Sequence, residues 1–324
     1  MTKALGIFSG GLDSILAALL LRKQGIEVHC ICFVTPFFDD EKAQRMAALY
    51  DLPLQVMDIS EEHLEMLKHP RYGYGKNMNP CIDCHAQMFE IAGRVMEEQG
   101  YDFLFSGEVL GQRPKSQIHT ALMAVNKASG RAGRILRPLS AKLLPITPME
   151  EQGLVDREQL EDIQGRSRKR QEALAKELGV DEYPSSGGGC LLTENSFSGR
   201  LKDLFEHHPD CTSRDVELLK LGRPFRLSGQ AKLTLGRNQS NNEGLKTVAG
   251  ETGCLLRNLN FSGPLGVVSG QPSPDDFLTA AAIVASYGKG RDEAMVEVLI
   301  TEQGEGRVVE VVPMPRDRVA EYQI

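Results

Sequence analysis

Apolar residues in the first half of the chain come in short runs separated by turn residues, and the period of the runs changes from one to the next. Ala4-Leu5-Gly6-Ile7-Phe8 is short, apolar and strand-like, while Ile15 to Leu21 is rich in good helix formers and closed by Gly25. Glu27 to Val34 reads as a buried second strand. Asp39 to Tyr50 predicts a helix, Leu54 to Met57 a strand and Glu61 to Lys68 a helix. A loop with Gly73, Gly75 and Asn77-Met78-Asn79-Pro80 leads into a helix from about Asp83 to Gln99, then strand Phe103-Leu104-Phe105. Alternating strands and helices predict an α/β fold: a mostly parallel sheet with helices on both faces. Ligands of such sheets gather beyond the carboxyl ends of the strands. Ser9 and Ser106 both lie just past strand ends and are expected to face one pocket.

The texture changes further along. Arg168 to Leu178 looks helical, and Gly187-Gly188-Gly189 then interrupts the pattern. Ser198 to His207 and Ser213 to Leu221 look helical, Phe225 to Leu227 and Lys232 to Leu235 strand-like, and Asp275 to Tyr287 helical. Ala294 to Ile300 and Arg307 to Val312 suggest a terminal hairpin. This is a smaller α+β domain. A chain of 324 residues exceeds a usual single core, and the boundary falls near 185–195, giving domains 1–185 and 186–324.

Composition narrows the class. Hydrophobic content of 41% and charged content of 25% are ordinary for a globular protein. No apolar run approaches the ~20 residues of a membrane span, and the first strand begins at once, so a cytoplasmic protein without a membrane partner is expected. Seven cysteines then favour free thiols, metal or catalysis over a disulfide framework. The net charge of −7 argues against indiscriminate binding to nucleic acid. Yet residues 110–142 hold Arg113, Lys115, Lys127, Arg131, Arg134, Arg137 and Lys142 with no Asp or Glu, and Arg166, Arg168, Lys169 and Arg170 form a second cluster. Such stripes either track a phosphate backbone or form a solvated face.

Three stretches carry candidate chemistry. Ser9-Gly10-Gly11-Leu12-Asp13-Ser14 sits between the first strand and helix. Glycines let backbone N–H groups converge there, and the helix start adds partial positive charge, which together make an anion site. Ser9 and Ser14 can donate hydroxyl hydrogen bonds, while Asp13 can hold Mg²⁺ or cap the helix. The loop is not a Walker A sequence, because no lysine follows the glycines. In Asn79-Pro80-Cys81-Ile82-Asp83-Cys84-His85, a C-x-x-C can be a redox pair, half of a metal site or a cluster anchor. C-x-x-C-H also spells haem attachment, which belongs to exported proteins. Cys190 follows the three glycines. Three thiolates can hold a [4Fe–4S] cluster with one iron open, or serve as a persulfide pair with a resolving cysteine. Zinc would want a fourth ligand, for which His85 is nearest. Cys30 and Cys32 share one strand face as packing residues, and Cys211 and Cys254 have no partner pattern. The third stretch, Ser106 to Gln117, carries Glu108, Gln112, Arg113, Lys115 and Gln117 from a strand end into the basic stripe; Leu136-Arg137-Pro138-Leu139 is another strand end with a base.

With these residues assembled, the first half resembles a PP-loop tRNA thiolation enzyme, of the adenine nucleotide alpha-hydrolase-like fold. The Ser-Gly-Gly-Leu-Asp-Ser loop resembles that of ATP pyrophosphatases, which split ATP between the α and β phosphates. Gly107 to Gln112, with Ser116-Gln117, resembles the loop of tRNA 4-thiouridine synthetases, and Asn79 to Cys84 is similar to the cysteine-bearing segment of tRNA 2-thiouridylases. Cys81, Cys84 and Cys190 are similar to the three cluster-binding cysteines of iron–sulfur-dependent thiolases. Leu235-Gly236-Arg237-Asn238, with Asn241-Asn242, resembles the RNA-binding domain of NFACT proteins. The resemblance implies an ATP-dependent tRNA sulfurtransferase that adenylates a uridine oxygen and replaces it with sulfur, with 4-thiouridine ahead of 2-thiouridine. Ser9, Gly10, Gly11, Asp13, Ser14, Gly107 and Gln112 would bind ATP and Mg²⁺, and Asp13, Cys81, Cys84 and Cys190 would be catalytic. The three cysteines would carry the sulfur or a [4Fe–4S] cluster. Arg113, Lys115, Arg131, Arg134 and Arg137 would meet tRNA, and a cysteine desulfurase or free sulfide would donate the sulfur. The amino-terminal RNA-binding extension and the rhodanese domain of 4-thiouridine synthetases have no counterpart in these residues, which leaves the target nucleotide and donor open. A PP-loop enzyme acting on a small molecule, and a non-enzymatic RNA-binding protein on the same scaffold, are the competing expectations.

Overall fold

The computed structural model describes residues 1–185 and 190–324. The chain divides into two compact units, Met1–Thr193 and Glu194–Ile324.

The first unit runs β1 (Lys3–Ile7), α1 (Leu12–Lys23), β2 (Glu27–Val34), α2 (Glu41–Leu49), β3 (Leu54–Asp58), α3 (Ser60–Lys68), α4 (Cys81–Gln99), β4 (Phe103–Ser106), α5 (His119–Ala128), β5 (Ile135–Leu136), α6 (Pro148–Glu151) and α7 (Lys169–Glu177). Its five strands are all parallel, in the order β3-β2-β1-β4-β5. Central strands covered on both faces must be apolar throughout, as β4 is. One face packs on α1, α2 and α7 through Leu16, Met46 and Leu174, among others. The other face packs on α4 and α5 through Phe89, Val95 and Val125. Gly6 in β1 is dictated by contact: a Cβ there would fall 2.1 Å from the Phe105 ring.

The second unit runs α8 (Asn195–His207), α9 (Ser213–Lys220), β6 (Arg223–Arg226), β7 (Ala231–Leu235), α10 (Gln239–Ala249), β8 (Cys254–Asn258), β9 (Gly266–Gly270), α11 (Pro274–Ser286), β10 (Val296–Glu302), β11 (Glu305–Val311) and α12 (Arg316–Ala320). Its sheet is antiparallel, ordered β11-β10-β8-β9-β7-β6. β10 alternates in burial, with Val296, Val298 and Ile300 inward against Ala281 and Val284 of α11. The predicted hairpin is β10–β11, turning through Gln303 and Gly304, both at positive φ.

Several elements differ from expectation. Helices α5 and α10 and strands β8 and β9 carry too little periodic signal to be read in advance. Helix α4 begins at Cys81 rather than Asp83, which puts Cys81 and Cys84 in its first turn. Gly187, Gly188 and Gly189 lie outside the described residues. Among the described residues, no helix is long and apolar enough to cross a membrane.

Candidate active site

The strand order turns outward in opposite directions from β1 and β4, so the loops that follow these strands border one crevice. A cavity of about 570 Å³ occupies it. The turn after β1 contributes Ser9, Gly11, Asp13 and Ser14, and the loop after β4 contributes Ser106, Gly107 and Glu108. Phe33, Phe37, Phe38 and Phe89 give it an apolar side, while Lys42, Arg113 and Arg168 bring positive charge. Cys190 also stands in its wall.

Backbone approach dictates the two central glycines. Gly10 has φ of +69°, and a Cβ there would lie 2.4 Å from the Lys42 carbonyl oxygen. A Cβ on Gly107 would lie 2.5 Å from the Asp13–Ser14 backbone. Gly11 caps α1 without a side chain, so no side-chain cap competes for the first-turn N–H groups. Ser14 Oγ donates to the Gly11 carbonyl at 2.8 Å, and so braces the turn.

Asp13 makes no cap hydrogen bond. Gln112 Nε2 donates to its Oδ2 at 2.9 Å, and the Arg168 guanidinium stands 3.8 Å away. Its Oδ1 is buried with no hydrogen-bond partner among the described residues. An orphaned carboxylate oxygen bordering a cavity is the hard donor that Mg²⁺ takes, so the residues fit that ion. Gln112 acts through Asp13 here and does not line the cavity.

Glu108 organises the opposite side. It accepts from Arg137 Nε at 2.8 Å and Ser106 Oγ at 3.1 Å, and its other oxygen meets His85 Nδ1 at 2.7 Å. Burial alone would raise the Glu108 carboxyl, but the Arg137 charge and His85 outweigh it and hold it at about 2. Arg137 also donates to Asn126 and lies over the Phe89 ring. This corrects its assignment to tRNA: Arg137 is 3% exposed and serves as the buried counter-ion of Glu108. His85 is likewise engaged by Glu108 rather than by the thiols.

The cysteines come together. Asn79 Nδ2 donates to Cys81 Sγ at 3.3 Å, and His63 Nε2 meets Cys84 Sγ at 3.3 Å. Burial raises the Cys84 thiol well above its ordinary pKa, and the nearby Cys190 and Cys81 raise it further. Burial pushes His63 down to about 4, so a neutral imidazole faces a neutral thiol. Asp83 holds the preceding loop by accepting from the backbone N–H groups of Arg71 and Tyr72, both at 3.0 Å. Among the described residues no disulfide forms, and no three His, Cys, Asp or Glu side chains stand as a metal-holding group. The thiols are therefore neighbours without being a closed ligand set for zinc or a cluster. Cys30 and Cys32 are buried, and desolvation pushes each to about 12.

The basic stripe is uneven. Arg113 lines the cavity and Lys115 is exposed. Arg131 pairs with Glu97, and Arg134 donates to the Asp102 carbonyl. Lys42, Arg168, His63 and the Glu108–Arg137 pair were not singled out for the site in the sequence, because their roles arise only from tertiary neighbours.

Fold and turn together define the first unit as a PP-loop domain. The family model described as thiamine biosynthesis protein (ThiI) matches residues 1–142, and the NFACT protein RNA binding domain model matches residues 222–323. The tRNA sulfurtransferase of Desulfurococcus amylolyticus is 27% identical over 146 residues, covering 42% of this chain and 29% of that protein. The tRNA-specific 2-thiouridylase MnmA of Desulforamulus reducens is 23% identical, covering 62% and 58%. The probable tRNA sulfurtransferase of Thermotoga maritima is 28% identical, covering 43% and 36%. The chain thus spans less than two thirds of the length of these relatives. A solved 4-thiouridine synthetase–RNA complex with bound ATP aligns at a TM-score of 0.36 and 21% identity over 55% of this chain and 52% of that one, too slight a likeness to build on.

Proposed function

We propose that the protein is an ATP-dependent tRNA sulfurtransferase, with 4-thiouridine its product ahead of 2-thiouridine. One observation carries the reading: the cavity bordered by the glycine turn and the orphaned Asp13 Oδ1 also has Cys190, neighbour of Cys84, in its wall. The similarity to tRNA sulfurtransferases and 2-thiouridylases supports tRNA as the substrate.

A uridine carbonyl oxygen is a poor leaving group and needs activation. The turn holds the departing pyrophosphate by its N–H groups, and the uridine oxygen attacks the α phosphate to give an adenylated base. Mg²⁺ at Asp13 would neutralise phosphate charge. Lys42, Arg113 and Arg168 border the same space and add to that neutralisation. Cys190 carries a persulfide whose terminal sulfur attacks the activated carbon and expels AMP. Cys81 or Cys84 then attacks the inner sulfur, which leaves the thiocarbonyl on the base and a protein disulfide for an external thiol to reduce. A second reading rests on the convergence of the three thiols: Cys81, Cys84 and Cys190 would hold a [4Fe–4S] cluster, which would supply an open iron for sulfide.

The test is AMP release from ATP with and without tRNA. Asp13→Ala abolishes tRNA-stimulated release; full turnover in that variant refutes the assignment. An iron count after anaerobic purification separates the sulfur routes. About four irons, lost in Cys190→Ser, select the cluster, and an iron-free active protein selects the persulfide.

A further inference from the structure

The second unit has its own cavity, of about 790 Å³, built from three loops at one end of its sheet. Gly236 to Asn238 lead from β7 into α10, Ser262 to Pro264 connect β8 and β9, and Tyr287 to Asp292 follow α11. Backbone hydrogen bonds from Gly236 N to Leu265 O (2.9 Å) and from Lys289 N to Ser262 O (2.8 Å) clasp the loops together.

Its lining is strongly one-signed. Arg223, Arg237, Lys289 and Arg291 face it against a single carboxylate, Asp292, which stands 3.4 Å from Arg291. Arg223 and Arg316 both lie over the Tyr287 ring, at 5.2 and 4.4 Å, which fixes two guanidiniums beside the opening. The eleven-residue helix α10 starts in the wall, and its cap, Asn238, accepts from Asn241 N at 2.9 Å. Independently, Asn258 is 6% exposed, yet neither its oxygen nor its nitrogen has a hydrogen-bond partner among the described residues. Its Nδ2 points at the glycine wall: a Cβ on Gly263 or Gly288 would come within 2.7 or 2.0 Å of it. An unused buried amide donor behind a glycine wall, with four cations in front, fits an anion of phosphate size.

We propose that this cavity seats a backbone phosphate of an RNA strand, with Arg237 and Lys289 as contacting cations and Arg223 as a fixed one. The proposal rests on tRNA being the substrate and adds where the second unit grips it. A phosphate contact carries no base information, so it sets register and affinity rather than sequence choice.

The experiment uses the full chain and a fluorescein-labelled tRNA transcript, titrated by anisotropy across a potassium chloride series. Arg237→Gln/Lys289→Gln is compared with wild type and with Lys246→Gln, an exposed cation on α10 away from the cavity. Melting curves confirm that each variant is folded. The double variant should lower the slope of log affinity against log salt by roughly 1.4, about 0.7 for each lost contact with single-stranded RNA, with Lys246→Gln near wild type. An unchanged slope in the double variant, or an equal fall in Lys246→Gln, overturns the proposal and leaves tRNA as substrate intact. Absence of tRNA binding by the wild type overturns both. Inorganic phosphate is titrated alone by calorimetry: binding lost in the double variant while the RNA slope stays constant would assign the cavity to a free anion and reject the RNA backbone.

Discussion

Glu108 and Arg137 are two opposite charges taken out of water, and removing either one leaves the other stranded. Glu108→Gln should therefore cost about 3 kcal/mol in urea unfolding at neutral pH. The pH dependence follows from the sign of the shift. Glu108 sits at about 2 against an ordinary 4.5, so its contribution is complete above 4.5 and fades as pH falls toward 2. Melting temperature measured down that window should fall more steeply in the wild type than in Glu108→Gln. Lys232 is the reverse case. It is 1% exposed, and its Nζ has no hydrogen-bond partner among the described residues. Burial, aided by Arg226, depresses it to about 8 from 10.5, against the opposing pull of Asp203, Asp215 and Cys211. The folded state thus disfavours its proton: stability is lowest below pH 8 and rises through 8 to 10.5 as the native amine loses charge first. Lys232→Met should raise stability at pH 7 by about 1–3 kcal/mol and abolish that rise, as read by denaturant melts at both pH values.

At the level of elements, the turn between β1 and α1 depends on a neighbour distant in sequence. Gly107 leaves no room for a methyl group beside Asp13 and Ser14. Gly107→Ala should weaken ATP binding at least about tenfold, since small displacements of a phosphate loop are costly. Calorimetry on the intact chain measures this, and an unaltered affinity would show that the two loops are independent. The turn itself was legible in the sequence because a strand, two glycines and a leucine-rich helix are local signals. So were Cys81, Cys84 and Cys190, whose meeting required only a parallel sheet. Arg137 was misread because a basic residue in a stripe without acids looks solvated, and its acid lies on another loop. Helix α10 was missed because Asn, Gln and Gly dominate it; it stands on the Asn238 cap and on Leu245 and Ala249 packed into a small core.

Over the whole molecule, each unit closes its own hydrophobic interior, with Leu16 and Phe89 on opposite faces of one sheet and Phe225 and Val284 in the other unit. A fragment of residues 194–324 should accordingly fold by itself and melt cooperatively by circular dichroism; a chain with no transition would show that its interior needs the rest of the protein. The change from a parallel to an antiparallel sheet was visible in the sequence, since helical spacers give way to short, closely spaced strands.

Cys190 in the same chamber as the pyrophosphate-gripping turn has a kinetic implication. An esterified base is prone to hydrolysis, and each one that escapes wastes a nucleotide. With the nucleophile already housed beside the place of activation, capture becomes a first-order event that need not await a collision from bulk solvent. The yield of modified RNA per ATP is then governed by how quickly that sulfur is replenished.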